Sequence, residues 1–132
     1  MTKAIEEFLQ AGVFGVVGAS ADRSKYGNRV LRCYLMNGRL AVPVNPKEEK
    51  IEGIPCVASV AELPPEVESI SVITPPSVTE QVVAEAAAKG IKNIWMQPGA
   101  ESQRAIDLCR EKGINVIADG SCILVVLGFR EH

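Results

Sequence analysis

The apolar run Val13-Phe14-Gly15-Val16-Val17 breaks into Gly18-Ala19-Ser20 and then, from Ser24, into a basic helix-forming segment. No other feature narrows the fold of this chain as far. A buried strand that turns through small residues into a helix is how doubly wound α/β domains hold phosphates. The turn lets the backbone approach a ligand, and the helix N-terminus offers free N–H groups and partial positive charge.

The rest of the chain repeats the strand–helix alternation. Helices are expected at Lys3–Gln10, Lys25–Asn37 and Ser102–Lys112. The second carries Val30, Leu31, Tyr34 and Leu35 on one stripe. A further helix follows Thr74-Pro75-Pro76, with Ser77 and Glu80 in a capping-box pattern and Val78, Val82, Ala86 and Lys89 on one side. Strands are expected at Val13–Val17, Arg39–Val44, Ser69–Ile73, Asn93–Met96 and Asn115–Ala118. Ile54–Ala58 reads as a short edge strand, with a helical turn near Val60–Leu63. Such alternation implies parallel strands joined by right-handed crossovers. The expected fold is α/β and Rossmann-like: a doubly wound, mostly parallel sheet of about five strands with helices on both faces. Residues 1–132 read as a single domain. The loops after the strands then gather at one sheet edge, where ligands bind at the switch point of the strand order.

Composition removes several function classes. A net charge of −2 gives no reason to expect nucleic acid. The opening residues do not read as a signal peptide, and no apolar stretch reaches the roughly 18 residues that span a bilayer. Cys33, Cys56, Cys109 and Cys122 show no C-x-x-C spacing and read as reduced thiols of a cytoplasmic protein. Local charge points the other way from the total. Arg23, Lys25, Arg29 and Arg32 crowd the first loop and helix, and Lys47 and Lys50 follow the second strand. Such clustering suits a bound polyanion, with a solvated helix face as the alternative for Arg29 and Arg32.

A dinucleotide is the default ligand of such a turn, and the residues argue against it. The fingerprint G-x-G-x-x-G fails at Ser20 in Gly15-Val16-Val17-Gly18-Ala19-Ser20. NAD also needs an acid after the second strand to accept from the ribose hydroxyls. Here Val42-Pro43-Val44 leads into Asn45, Pro46 and Lys47. An amide followed by a cation suits a phosphorylated ribose. NADP and coenzyme A both meet that demand.

Five segments carry a more specific resemblance: Gly18-Ala19-Ser20, Lys25-Tyr26-Gly27, Pro43-Val44-Asn45-Pro46-Lys47, Trp95-Met96-Gln97-Pro98-Gly99 and the late Cys122. In order and spacing, over about residues 4 to 122, they resemble the small stand-alone CoA-binding proteins, themselves similar to the N-terminal domain of the succinyl-CoA synthetase α subunit. The resemblance implies coenzyme A, free or as an acyl-CoA, as the small-molecule ligand. It implies that Gly18, Ala19 and Ser20 meet the pyrophosphate, with Ser24, Lys25 and Tyr26 beside it. Asn45, Pro46 and Lys47 would flank the ribose and its phosphate. Ile73, Thr74 and Pro75 would border the adenine and pantetheine path, and Gln97, Pro98 and Gly99 would line the opposite wall. The chain departs from the family after Cys122, where an apolar tail, Ile123 to Phe129, replaces charged residues.

No catalytic or metal-binding constellation is visible. The single histidine is His132, and nucleophilic catalysis at Cys122 or a serine would need a base that no histidine supplies. Cys122 reads as a buried structural thiol that reacts slowly, and Trp95 as a core residue. The expectation is a non-catalytic binding, carrier or sensor protein. The alternatives are an NADP-linked oxidoreductase and a ligase subunit that needs a partner chain. The tail must cover the domain's own core or a second copy's surface, so monomer and homodimer both stand.

Overall fold

Alternation along β1 (Val13–Val17) sends Phe14 and Val16 to one side of a sheet and Val13 and Val17 to the other. Gly15 leaves room on the second side, where a Cβ would come within 2.8 Å of Ile70 and 3.2 Å of Leu63. β1 is therefore sandwiched between two apolar layers, as a strand without polar alternation must be. The computed structural model describes residues 1–131; His132 lies outside the described residues.

β1 pairs in parallel with β2 (Leu40–Val44) on one side and with β5 (Val67–Val72) on the other. β6 (Asn93–Met96) and β7 (Asn115–Ile117) extend the sheet in the same sense. The five strands run in the order β2-β1-β5-β6-β7. The connection after β1 leads one way to β2, and the chain then crosses back over β1 to β5. The switch point is thus the crevice between the C-terminal ends of β1 and β5.

One face carries α1 (Lys3–Leu9) and α2 (Tyr26–Met36), the other α3 (Pro76–Lys89) and α4 (Gln103–Glu111). Each face has its own apolar core. Phe8, Phe14, Tyr34 and Trp95 pack together under α1 and α2, with the Phe14 and Tyr34 rings stacked at 4.8 Å. Val72, Val83, Ile94 and Met96 centre the other core. Burying each such side chain contributes roughly 1.5–3 kcal/mol. The expected Rossmann-like α/β fold, with helices on both faces, is the fold observed. No helix among the described residues is long and apolar enough to cross a membrane.

Four local expectations change. Ile54–Ala58 is not an edge strand: β3 (Lys50–Ile51) and β4 (Ile54–Pro55) form a separate antiparallel hairpin, and only Val57 bridges to Val44 of the main sheet. The Ser77–Glu80 capping box does not form. Pro76, whose ring presets a helical φ, starts α3 early, so Ser77 falls inside the first turn. Glu80 instead accepts from the Ser102 hydroxyl at 2.6 Å and ties α3 to α4. The buried side of α3 consists of Thr79, Val82, Val83 and Ala86, with Val78 exposed. On α2, Leu35 is exposed while Cys33 is fully buried.

The apolar tail covers its own domain. A single wide helical turn, Leu124–Gly128, lays Ile123 into the core under α1 and α2, with Leu124, Val126 and Leu127 packed around it. Val125 stays exposed. Arg32 fastens this segment: it is only 6% exposed, donates to Glu131 at 2.9 Å and lies over the Phe129 ring. Arg32 thus belongs neither to a solvated face nor to an anion-binding cluster.

Candidate ligand site

The turn after β1 is shaped by close packing. Gly18 has φ +95°, and a Cβ there would sit 2.1 Å from the Ile73 carbonyl oxygen. A Cβ on Gly27 would sit 2.0 Å from the Gly18 carbonyl oxygen. The start of α2, the Gly18 turn and the end of β5 are therefore stacked without room for side chains. That stacking brings the α2 N-terminus over the switch point. Lys25 stands at its N-cap position and makes no side-chain cap.

Hydrogen bonds hold the remaining loop. Ser20 accepts from the Asp22 N–H at 3.1 Å, and the Asp22 carboxylate accepts from Ser24 Oγ at 2.6 Å and Ser24 N–H at 2.9 Å. These bonds hold the Asp22 carboxyl below its ordinary value, the Ser24 hydroxyl most, with the Lys25 charge adding to the effect. Asn28 is fully buried and donates to the Ser20 carbonyl and to Glu52 Oε2. Glu52, at φ +52° in the β3–β4 turn, also meets Arg23 at 3.5 Å.

The loop after β2 is bound to the loop after β1. Asn45 donates to the Ala19 carbonyl at 2.8 Å and accepts from the Lys47 N–H at 2.8 Å. Pro46 and Lys47 are exposed beyond it. On the far side of the crevice, the Thr74 and Thr79 hydroxyls lie 2.7 Å apart, and Pro75 caps α3. Between these loops opens a mainly apolar cleft of about 210 Å³, lined by Val44, Asn45, Val60, Thr74, Val78 and Val82 among others. Sequence reasoning did not reach Val60, Val78 and Val82 as site residues. They come from segments read only as helix, and no motif marks them.

Gln97 lies below the surface while Pro98 and Gly99 are exposed above it. The Gln97 side chain is fully committed. Its Oε1 accepts from the Tyr26 hydroxyl at 3.1 Å and from the Ile123 N–H at 2.9 Å, and its Nε2 donates to Ser71 at 3.3 Å. Ser71 in turn meets the Tyr34 hydroxyl at 2.6 Å. Cys122 joins the same network with Sγ 2.8 Å from the Tyr26 hydroxyl. Cys122 is half-buried and bonded to a polar partner, where the sequence reading expects a buried thiol. Burial first, then the bond to Cys122, pushes the Tyr26 hydroxyl far above its ordinary value, so it keeps its proton. Trp95 is fully buried, with its indole N–H on the Ser121 carbonyl.

The expected site residues thus gather along the loops after β1, β2, β5 and β6, with Gln97 fully buried beneath them. The chain is similar to the α subunit of an ADP-forming acetate–CoA ligase II of Pyrococcus furiosus, 27% identical over 124 residues. That match covers 86% of this chain and 27% of the subunit. An ADP-forming acetate–CoA ligase II of Archaeoglobus fulgidus is 30% identical over 113 residues, covering 76% of this chain and 17% of the ligase. The chain therefore spans little more than a quarter of these relatives at most. A solved conserved hypothetical protein of Pyrococcus furiosus superposes with a TM-score of 0.82 at 42% identity, covering 86% of this chain and 97% of that one. The model of the CoA-binding domain matches residues 13–128, from the first strand to the tail turn, and the chain belongs to that family.

Proposed function

We propose that this chain binds coenzyme A or an acyl-CoA at the C-terminal edge of the sheet, as a binding, carrier or sensor protein and not a catalyst. The observation that carries the reading is the stacking of Gly18 and Gly27 against the ends of β1 and β5. It leaves the uncapped α2 N-terminus facing the switch point, where the diphosphate would lie. Lys47 and Lys25 are exposed on either side and would meet the 3′-phosphate and the diphosphate. The apolar cleft between Val44, Val60 and Val82 suits a flat heteroaromatic ring such as adenine. The reading takes residues 1–132 as one domain and, from the unpaired thiols, a cytoplasmic setting.

A second reading rests on the relatives: the chain matches about a quarter of a ligase subunit, so it would act as the CoA-holding part of a ligase with a partner chain. Calorimetry with CoA, dephospho-CoA and NADPH tests the first reading. CoA is expected to bind at least about tenfold more tightly than dephospho-CoA, since a charge-assisted contact contributes about 1.5–3 kcal/mol. Equal affinities would remove the 3′-phosphate argument, and preference for NADPH would favour a reductase.

A further inference from the structure

We propose that Asn28 is a positioning residue for the turn after β1: it holds the Ser20–Ala21 peptide so that the Ala21 N–H faces a bound phosphate. The inference rests on the CoA reading above and gives a buried residue of α2 a part in it.

The hydrogen bonds of Asn28 leave its side chain one orientation. It is fully buried and meets three partners. Its Oδ1 accepts from Arg32 Nε at 2.7 Å. Its Nδ2 donates to the Ser20 carbonyl at 2.8 Å and to Glu52 Oε2 at 3.1 Å. A guanidinium only donates, whereas a carbonyl and a carboxylate only accept. The amide therefore cannot flip. Aspartate at this position would set an oxygen against two acceptors, and leucine would satisfy none of the three partners. Arg32 is itself fixed, with Nη2 donating to the Arg23 carbonyl at 3.0 Å and to Glu131 at 2.9 Å. Asn28 is thus a clamp with every donor and acceptor in use.

The clamp fixes a peptide plane. In a trans peptide the carbonyl and the following N–H point in opposite directions. With the Ser20 carbonyl turned into α2, the Ala21 N–H points away from the helix, on the exposed side of the loop. Asn45 acts in the same way one peptide earlier. It holds the Ala19 carbonyl on the β2 side, so the Ser20 N–H points away from β2 and towards the crevice between β1 and β5. Among the described residues, neither N–H has an acceptor within the protein. Two successive N–H groups, fixed from two different elements and left without partners, make a concavity suited to an anion. Their fixed direction matters because a peptide free to turn would lose affinity to its own ordering.

NMR titration of the full chain, together with calorimetry, tests the proposal. The probes are CoA and adenosine 3′-monophosphate, which lacks the diphosphate. In the parent protein CoA should move the Ser20 and Ala21 amide protons downfield, as charge-assisted hydrogen bonds to phosphate do, and adenosine 3′-monophosphate should leave both in place. Asn28→Leu is close in size to the parent residue and leaves no room for a substitute water. It should abolish the Ala21 shift and keep the Ser20 shift, which Asn45 governs. The variant should bind CoA at least about tenfold more weakly and adenosine 3′-monophosphate as the parent does. A purely structural Asn28 would weaken both ligands together or neither, and either result would overturn the proposal. If Asn28→Leu does not fold, the parent titration still decides: an Ala21 amide that CoA leaves in place, or that adenosine 3′-monophosphate moves equally, overturns it. CoA binding in calorimetry without an Ala21 shift would remove the positioning role and leave the CoA reading standing. No binding of CoA to the parent would remove both.

Discussion

The side-chain amide of Asn45 spans 2.8 Å to the carbonyl of Ala19, so the loops after β2 and β1 form one hydrogen-bonded body. Asn45→Ala should leave the nearly buried Ala19 carbonyl unpaired. A loss of about 1–3 kcal/mol in stability is expected, with weaker CoA binding. Denaturant unfolding and calorimetry on the same protein check both. Unchanged stability would mean that the two loops are held independently.

Gly18 sets a stricter limit. From sequence, Gly18 reads as a turn residue that lets the backbone approach a ligand. The structure gives a different reason for the glycine: at φ +95° any Cβ meets the Ile73 carbonyl oxygen at 2.1 Å. Gly18→Ala alone should cost about 2–5 kcal/mol through strain and overpacking, before any ligand is added. Thermal unfolding of the apo protein checks this. A variant as stable as the parent would contradict the packing described.

Acid should loosen the same loop. The folded-state Asp22 carboxyl lies below its ordinary 3.8, held there by Ser24. Its contribution is therefore complete above that value and fades as pH falls through the lower folded value. The Ser24 amide signal in NMR should shift below about pH 4, and Asp22→Asn should flatten that response. A Ser24 titration centred near pH 6 would point to another group.

The tail offers a contrast between neighbours. Ile123 is fully buried and Val125 is 81% exposed. Ile123→Ala should cost about 2–5 kcal/mol, and Val125→Lys should stay within about 0.5 kcal/mol. Chemical unfolding separates them. Equal effects would mean that the tail is not seated as described.

Much of this architecture was legible because it rests on local signals. The apolar runs and the glycines after them locate the strands and the switch point, and the fold follows from their alternation. The Gly18 turn and the Asn45–Lys47 segment were legible as elements of the candidate site, because the loops after β1 and β2 follow from the same runs. What escaped was set by tertiary contact. Nothing local to Ser77 reveals that Glu80 is taken by Ser102 from another helix. Arg32 reads as one more surface cation, yet it is buried beneath Glu131 and Phe129, about a hundred positions away. Cys122 and Tyr26, likewise far apart in the chain, meet only because the segment after β7 folds back over α2.

That return has a bearing on how the protein is made. Ile123 shares a core with Ile5, Phe8 and Phe14, so the layer begun by the earliest residues stays open on one side until position 123 has left the ribosome. The opposite layer, built from β1, β5, β6, α3 and α4, needs nothing beyond residue 118. Synthesis should therefore yield a half-finished sandwich first, with an oily face awaiting its cover. A nascent chain that has emerged only as far as residues 118–122 would present that face to chaperones, and one that has emerged past the tail would not.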